Sequence, residues 1–143
     1  MRRHPLASGL LILAAGLLAA GCGGSTKTYY LNLDFPSSAE IDRTATVEIF
    51  AIDPGSDGNC DDLVVAGSDT WDVVGGWAGA EVLDTAFMQG PNPAELPELV
   101  GLGKGTTLFF ARVKDDNGDA FLHGCRSAEV GDVEDISIEL ELF

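Results

Sequence analysis

The side chains with the clearest potential for chemistry are acidic and amide groups in one short segment. Oxygen-bearing side chains follow one another closely there, at Asp53, Asp57, Asn59, Asp61 and Asp62. Carboxylate and amide oxygens at such spacing are the ligands that Ca²⁺ prefers. The segment lacks the Glu at the twelfth position of an EF-hand loop, so it is not an EF-hand. The segment therefore predicts either a calcium site or a turn built from Asp, Asn and Gly. If it is a calcium site, calcium would stabilise the folded domain against heat.

Asp115, Asn117 and Asp119 form a second cluster with the same spacing. Asp and Asn followed by Gly are common in the turns of β-hairpins. We therefore interpret this second cluster as a plain turn.

Residues suited to catalysis are sparse. Beyond the amino-terminal segment, His123 is the single histidine, beside Gly124 and Cys125 at a predicted strand end. A nucleophilic triad needs a base next to an activated Ser or Cys, and no Gly-x-Ser-x-Gly elbow occurs. The glycine-rich residues 101–105 precede a predicted strand, whereas a phosphate-binding loop precedes a helix. We interpret His123 as an ordinary strand residue and expect no enzymatic activity.

Two tryptophans are candidates for binding a partner. Trp77 lies among glycines at residues 75–79, where an exposed indole could stack on a sugar or anchor a protein. A Trp77 that packs onto the domain is the alternative. Trp71 lies on a predicted strand, and we expect it in the core.

The first 22 residues have the pattern of an export signal. Arg2 and Arg3 are followed by an apolar run at residues 6–20. The run is shorter than the roughly 20 residues of a membrane-spanning helix, and it ends at small residues, as signal peptides do. Its last residues, Leu18-Ala19-Ala20-Gly21-Cys22, resemble the lipobox of bacterial lipoproteins. A plain secreted protein with Cys22 in a disulfide is the alternative.

The lipobox resemblance implies an address in the cell envelope. In lipoproteins the cysteine is acylated and the peptide is cut before it. Residues 1–21 would therefore be removed, and the lipid on Cys22 would anchor the protein in the membrane. Two acyl chains already give stable anchoring. Gly23 stands where an Asp retains many Gram-negative lipoproteins at the inner membrane, which implies the outer membrane. Residues 22–27 would form a short tether.

The cysteine count agrees with export. With Cys22 carrying lipid, Cys60 and Cys125 remain from the 3 cysteines as a predicted disulfide in an oxidising compartment. A two-cysteine metal site with His123 is the alternative. The disulfide would rigidify the loop at residues 53–62 and could bring the two acidic clusters close together.

Composition describes one acidic domain. The 143 residues include 23 Asp and Glu against 8 Lys and Arg, a net charge of −15. The sequence has no basic patch that could neutralise phosphates, so we expect no nucleic-acid partner. The residues after the signal suffice for one domain with a core, and a hydrophobic content of 45% argues against disorder.

Alternation of apolar and polar residues, or a content rich in Val, Ile, Phe and Thr, predicts a series of short strands. The clearest lie at residues 28–35, 44–52, 106–114 and 136–142, and weaker ones at 70–74, 80–87 and 120–123. Residues 36–43 and 88–99 are predicted connections, and residues 61–66 suit a short helix or a strand. About seven strands without a long helix predict an all-β fold, a single antiparallel β-sandwich.

The carboxyl-terminal part adds a resemblance to known domains. It consists of Gly105 before a strand, the run Phe110-Ala111-Arg112-Val113, the Asp116-Asn117-Gly118 turn, Gly124-Cys125 and a last apolar strand. These features are similar to immunoglobulin-like or transthyretin-like domains of exported bacterial proteins. Residues 28–143 are thus expected to form a non-enzymatic binding or structural module for an envelope protein or glycan. Calcium-dependent adhesion or carbohydrate binding through the loop at residues 53–62 and Trp77 is the alternative.

Overall fold

The described part of the chain forms eight β-strands with short helices between them. The computed structural model describes residues 29–66, 74–90, 98–103, 105–131 and 135–143. In chain order the elements are β1 (Tyr29–Asp34), α1 (Ser38–Arg43), β2 (Thr46–Asp53), α2 (Cys60–Ala66), β3 (Glu81–Gln89), β4 (Glu98–Leu99), β5 (Gly105–Lys114), β6 (Ala120–Val130), β7 (Asp135–Glu139) and β8 (Glu141–Leu142).

The strands form two sheets. One has three strands in the order β4–β1–β7, and the other has five in the order β3–β2–β5–β6–β8. Neighbouring strands are antiparallel, except that β1 and β7 run parallel. The predicted all-β class is confirmed, with eight strands among the described residues where about seven were predicted for the whole domain. The parallel pair corrects the expectation of purely antiparallel sheets, since most of the domain connects β1 to β7 and a parallel pair needs such a long connection.

Alternation gives the three-stranded sheet one buried face. In β1, Tyr29 and Leu31 are buried and Tyr30 and Asn32 are exposed, and β7 shows the same alternation. Buried side chains from both sheets meet in one hydrophobic cluster, the main core, which includes Tyr29, Leu31, Ile136 and Ile138 from the small sheet and Val47, Ile49, Phe109, Ala111 and Val113 from the large one. Burial of these apolar side chains stabilises the contact between the two sheets.

Strand β5 is buried on both faces. Every residue from Thr107 to Val113 is buried. Phe109 belongs to the main core, whereas Phe110 belongs to a second cluster with Leu108, Phe50, Ile52, Leu63 and Val74. Because Leu63 lies in α2, this helix helps to cover the outer face of the large sheet.

Several predicted connections contain regular structure. Residues 36–43 include α1, which Ser37 caps by accepting a hydrogen bond from the backbone of Ala39. The ambiguous residues 61–66 are helical, and β6 continues from the predicted residues 120–123 to Val130. The predicted loop at residues 88–99 contributes its first two residues to β3 and its last two to β4.

Several predictions lie outside the described residues. These are the signal and tether at residues 1–27 with Cys22, Trp71 with most of the predicted strand at 70–74, the prolines within residues 91–97, and Lys104. Within the described ranges, no helix has the length and apolar character needed to cross a membrane.

Candidate functional site: the groove between β6 and β7

The carboxyl-terminal strand predicted from the sequence is divided between the two sheets. β7 pairs with β1 in the small sheet, whereas β8 pairs with Leu122 and His123 of β6 in the large one. Leu140 lies between them, buried, and donates its backbone N–H to the carbonyl of Asp34 at 2.9 Å. This crossover presses on Gly124, where a Cβ atom would lie 2.2 Å from the carbonyl oxygen of Glu139. Position 124 therefore needs glycine.

A groove of about 890 Å³ opens where β7 separates from β6. One wall is β6 at residues 123–129, and the other is β7 at residues 135–137 and 139. Asp34, Glu141 and the first residues of α2, Cys60 and Asp61, complete the lining. Two sheets that share a core thus part along one side and leave a polar channel.

Strand β6 turns backbone groups towards this groove. Phe121 accepts a hydrogen bond at its carbonyl from the N–H of Phe143, on the β8 side of the strand. Backbone groups of successive strand residues point to opposite sides, so Cys125, Ser127 and Glu129 turn theirs the same way as Phe121. No strand among the described residues pairs with that edge beyond His123.

Strand β7 also turns backbone groups towards the groove, from the opposite wall. Leu140 donates to Asp34 of β1, so by the same alternation the even-numbered residues of β7 bond to β1. Asp135, Ser137 and Glu139 consequently direct their backbone groups away from β1 and line the groove. Within the described residues, the groove lies between two strand edges whose backbone groups no strand uses.

The predicted disulfide between Cys60 and Cys125 is confirmed and forms part of the groove wall. It joins the first residue of α2 to β6, with 5.5 Å between the two Cα atoms. Asn59 caps α2, because its Oδ1 accepts from the N–H of Asp62 at 3.0 Å and its Nδ2 donates to Asp62 Oδ2 at 2.8 Å. The disulfide and this cap fix the end of α2 that faces the groove.

The predicted calcium ligands surround this end of α2 without converging. Asn59 and Asp62 bond to each other, and Asp53 Oδ1 accepts from the N–H of Gly55 at 2.9 Å. Asp57 and Asp61 are exposed, and Asp61 is the one of the five that lines the groove. Within the described ranges, no three or more His, Cys, Asp or Glu side chains are grouped to hold a metal ion. Calcium binding by this loop stays a prediction.

The second acidic cluster is engaged in the β5–β6 turn. Asp115 Oδ1 accepts from the N–H groups of Asn117 and Asp119, and Oδ2 accepts from Arg43. The hydrogen bond from Arg43 lowers the pKa of Asp115. The two clusters do not lie together, since they follow opposite ends of the paired strands β2 and β5. Six residue steps of strand separate those ends by roughly 20 Å.

Trp77 is half-buried and packs onto the domain. Its ring lies over Gly58, where a Cβ atom would come 2.4 Å from the indole. Trp77 also contacts the second hydrophobic cluster, as the half-buried cysteines of the disulfide do. The ring therefore supports the loop that leads to α2, and a role in binding a glycan stays a prediction.

His123 lies deeper than its predicted place at a strand end. It is in the interior of the 11-residue β6, only 5% exposed, with the ring of Phe143 edge-on at 4.3 Å. Burial lowers the pKa of His123, and the carboxylate of Glu141 opposes this without reversing it. The lowered pKa favours the neutral imidazole. Its Nδ1 is buried without a hydrogen-bond partner among the described residues.

A polar row that the sequence did not indicate crosses the outer face of the large sheet from His123. Strand register places Glu141, His123, Arg112 and Glu48 side by side on β8, β6, β5 and β2. Glu48 accepts from Arg112 Nε at 2.6 Å and from Lys114 Nζ at 2.8 Å. Burial of the Glu48 carboxylate opposes its ionisation, but the two hydrogen bonds and the two positive charges lower its pKa overall.

Glu48 makes the stability of the fold sensitive to acid. Its pKa is lowered in the folded state, so its contribution is complete above the unfolded value of about 4.3 and is lost as the pH falls through the folded pKa. We expect Glu48→Gln to lower the free energy of unfolding at pH 7 by about 2 kcal/mol, because two cations lose an ionic acceptor. Urea unfolding from pH 7 to pH 3 should show the difference from wild type shrinking below about pH 4.

The control for this prediction is Glu98→Gln, which changes an exposed carboxylate on β4. It should leave the unfolding free energy within about 0.5 kcal/mol of wild type. A Glu48→Gln deficit that stays constant down to pH 3 would show that the lost stability comes from packing and not from charge.

Comparisons with known proteins found no relative of this chain. No family model, curated protein or solved structure matches the chain.

Sequence reasoning found some of these residues and missed others. The disulfide pair followed from the cysteine count, and His123 and Asp61 were named for other roles. The groove-facing edges of β6 and β7 were missed, since they depend on which strands pair. One signal was available in the sequence: Asp135, Ser137, Glu139 and Glu141 alternate with apolar residues, which marks a polar side on the last strand.

Proposed function

We propose that this chain is an exported bacterial lipoprotein whose all-β domain is a binding module of the cell envelope. The observation that supports it most is the Cys60–Cys125 disulfide. A disulfide of this kind persists in oxidising compartments outside the cytosol, and it leaves Cys22 as the remaining cysteine of 3. The lipobox-like residues 18–22 then supply the anchor, and Gly23 favours the outer membrane.

Binding, and not catalysis, is the activity that we assign to the domain. The groove presents backbone edges and carboxylates, which suit recognition of an extended partner.

Lipid attachment tests the anchoring half of this proposal. The full chain is expressed in a Gram-negative host with an alkyne-labelled fatty acid, and Cys22→Ala is expressed beside it. We expect the wild type to take up label, to appear in the outer-membrane fraction and to have the mass of a chain cut before Cys22. The Cys22→Ala variant should lack label and stay unprocessed. An unlabelled wild type released in soluble form would exclude the anchor.

A further inference from the structure

We propose that the groove between β6 and β7 binds an extended, positively charged peptide segment of another protein, which adds as a strand to the free edge of β6. This inference rests on the proposed function, because it names the partner class of the same binding module. Strand addition to a sheet edge is a recurrent way of binding peptides: main-chain hydrogen bonds give affinity and the flanking side chains give specificity.

The geometry of the edge favours an extended occupant. Cys125, Ser127 and Glu129 direct their backbone groups into the groove, and no described strand pairs with them. An edge of this kind is a template for another strand. The edge from Gly124 to Glu129 is about 17 Å long at the rise of a strand, which suits a segment of about six residues.

The charges around this edge select a cationic occupant. Six acidic residues line the groove, Asp34, Asp61, Glu129, Asp135, Glu139 and Glu141, against one arginine, Arg126. Successive side chains of a bound strand point to opposite sides. One side would meet α2 with Asp61, and the other would meet β7 with Asp135 and Glu139. Lys or Arg side chains on either side would thus find carboxylates.

His123 is a second, independent indication of a ligand at this place. It lies in the groove lining at the end where β8 closes the edge, and it is 5% exposed. Its Nδ1 has no partner among the described residues, although buried polar atoms are nearly always hydrogen-bonded. A donor from a Lys or Arg of the bound segment would satisfy this atom. A second copy of the chain is a poor occupant, because its net charge of −15 repels the groove.

The first test separates the groove from general attraction between opposite charges. The full chain in a non-ionic detergent is titrated into fluorescein-labelled, amide-capped hexalysine, and anisotropy is measured. We expect Asp135→Lys/Glu139→Lys to weaken binding at least about tenfold. The matched control is Glu81→Lys/Glu98→Lys, which makes the same change in charge at exposed sites on β3 and β4. It should weaken binding less than about threefold, since those charges lie outside the groove.

The second test asks whether the peptide binds as a strand. Hexalysine that is N-methylated at alternate residues keeps its charge but cannot donate along one edge, and we expect it to bind at least about tenfold more weakly. Ser127→Pro removes one groove-facing N–H without changing charge, and an edge strand tolerates such a proline. It should weaken binding of unmodified hexalysine, whereas Ser127→Ala should not. Circular dichroism checks that each variant is folded.

Three results would overturn the inference. One is that wild type fails to bind hexalysine at millimolar concentration, and another is that the methylated and unmethylated peptides bind equally. The third is that the chain dimerises through this edge in sedimentation experiments, which would make a second copy the occupant. The two proposals fail separately. If the protein is acylated but does not bind hexalysine, only the peptide site is disproved. If the protein binds hexalysine but is not acylated, only the anchor is disproved.

Discussion

Removal of the Cys60–Cys125 disulfide is expected to lower the free energy of unfolding by about 4 kcal/mol. The bond closes a loop of 65 residues, and in the chain-entropy description a loop of that length restricts the unfolded chain by roughly this amount. Both sulfurs belong to half-buried residues that pack on the second hydrophobic cluster, so their loss also loosens α2. The midpoint of thermal unfolding should fall on the order of 15 °C.

Urea unfolding of Cys60→Ala/Cys125→Ala beside wild type measures this effect. Wild type treated with a phosphine reductant is the matched control, and its stability should approach that of the double variant. Cys22 stays unchanged in both, so that the amino terminus does not differ. A loss below about 1 kcal/mol would mean that the unfolded chain is already compact without the bond.

The disulfide also bears on the groove. Cys60 is the first residue of α2, and Cys125 is one of the three β6 residues with groove-facing backbone groups. Reduction would free α2 from β6 and remove the wall that Asp61 belongs to. We therefore expect reduction to weaken hexalysine binding as well as stability, although both strand edges remain in place.

Local patterns predicted the strands well because a strand with one buried face has alternating apolar and polar residues in its sequence. β1 and the last strand alternate strictly, and both are strands. β5 was predicted as a strand, but its burial on both faces was not predicted, since a second cover from α2 is a tertiary feature. The short helix α1 was missed because six residues carry little helical periodicity.

Pairing was less accessible than strand identity. The pattern at residues 136–142 is that of one continuous strand, yet Leu140 divides it between two sheets. Nothing in an alternation of apolar residues specifies the neighbour of a strand, because pairing depends on contacts far apart in the sequence. The groove exists only because of this division, so the candidate site could not be predicted even though Asp61 and His123 were singled out.

Two adjacent phenylalanines provide a sharper test of how the two hydrophobic clusters are connected. Phe109 and Phe110 are both fully buried, Phe109 in the main core and Phe110 in the second cluster. Each change to Ala should lower the unfolding free energy by about 4 kcal/mol, from lost burial and the cavity left behind. Single-site effects alone thus cannot distinguish the two sides of β5.

Combination with disulfide removal distinguishes them. Phe110 lies opposite Cys125 in the strand register, so the cavity left by Phe110→Ala should collapse more easily once α2 is untied. We expect the cost of Phe110→Ala to fall by about 1 kcal/mol or more without the disulfide, whereas that of Phe109→Ala should change by less than about 0.5 kcal/mol. Because the summed losses approach the whole stability of a domain, all six chains (wild type, the disulfide-free chain, each Phe variant and each combination) are compared in the same stabilising concentration of sulfate. Equal coupling for both residues would show that β5 transmits the loosening of α2 into the main core.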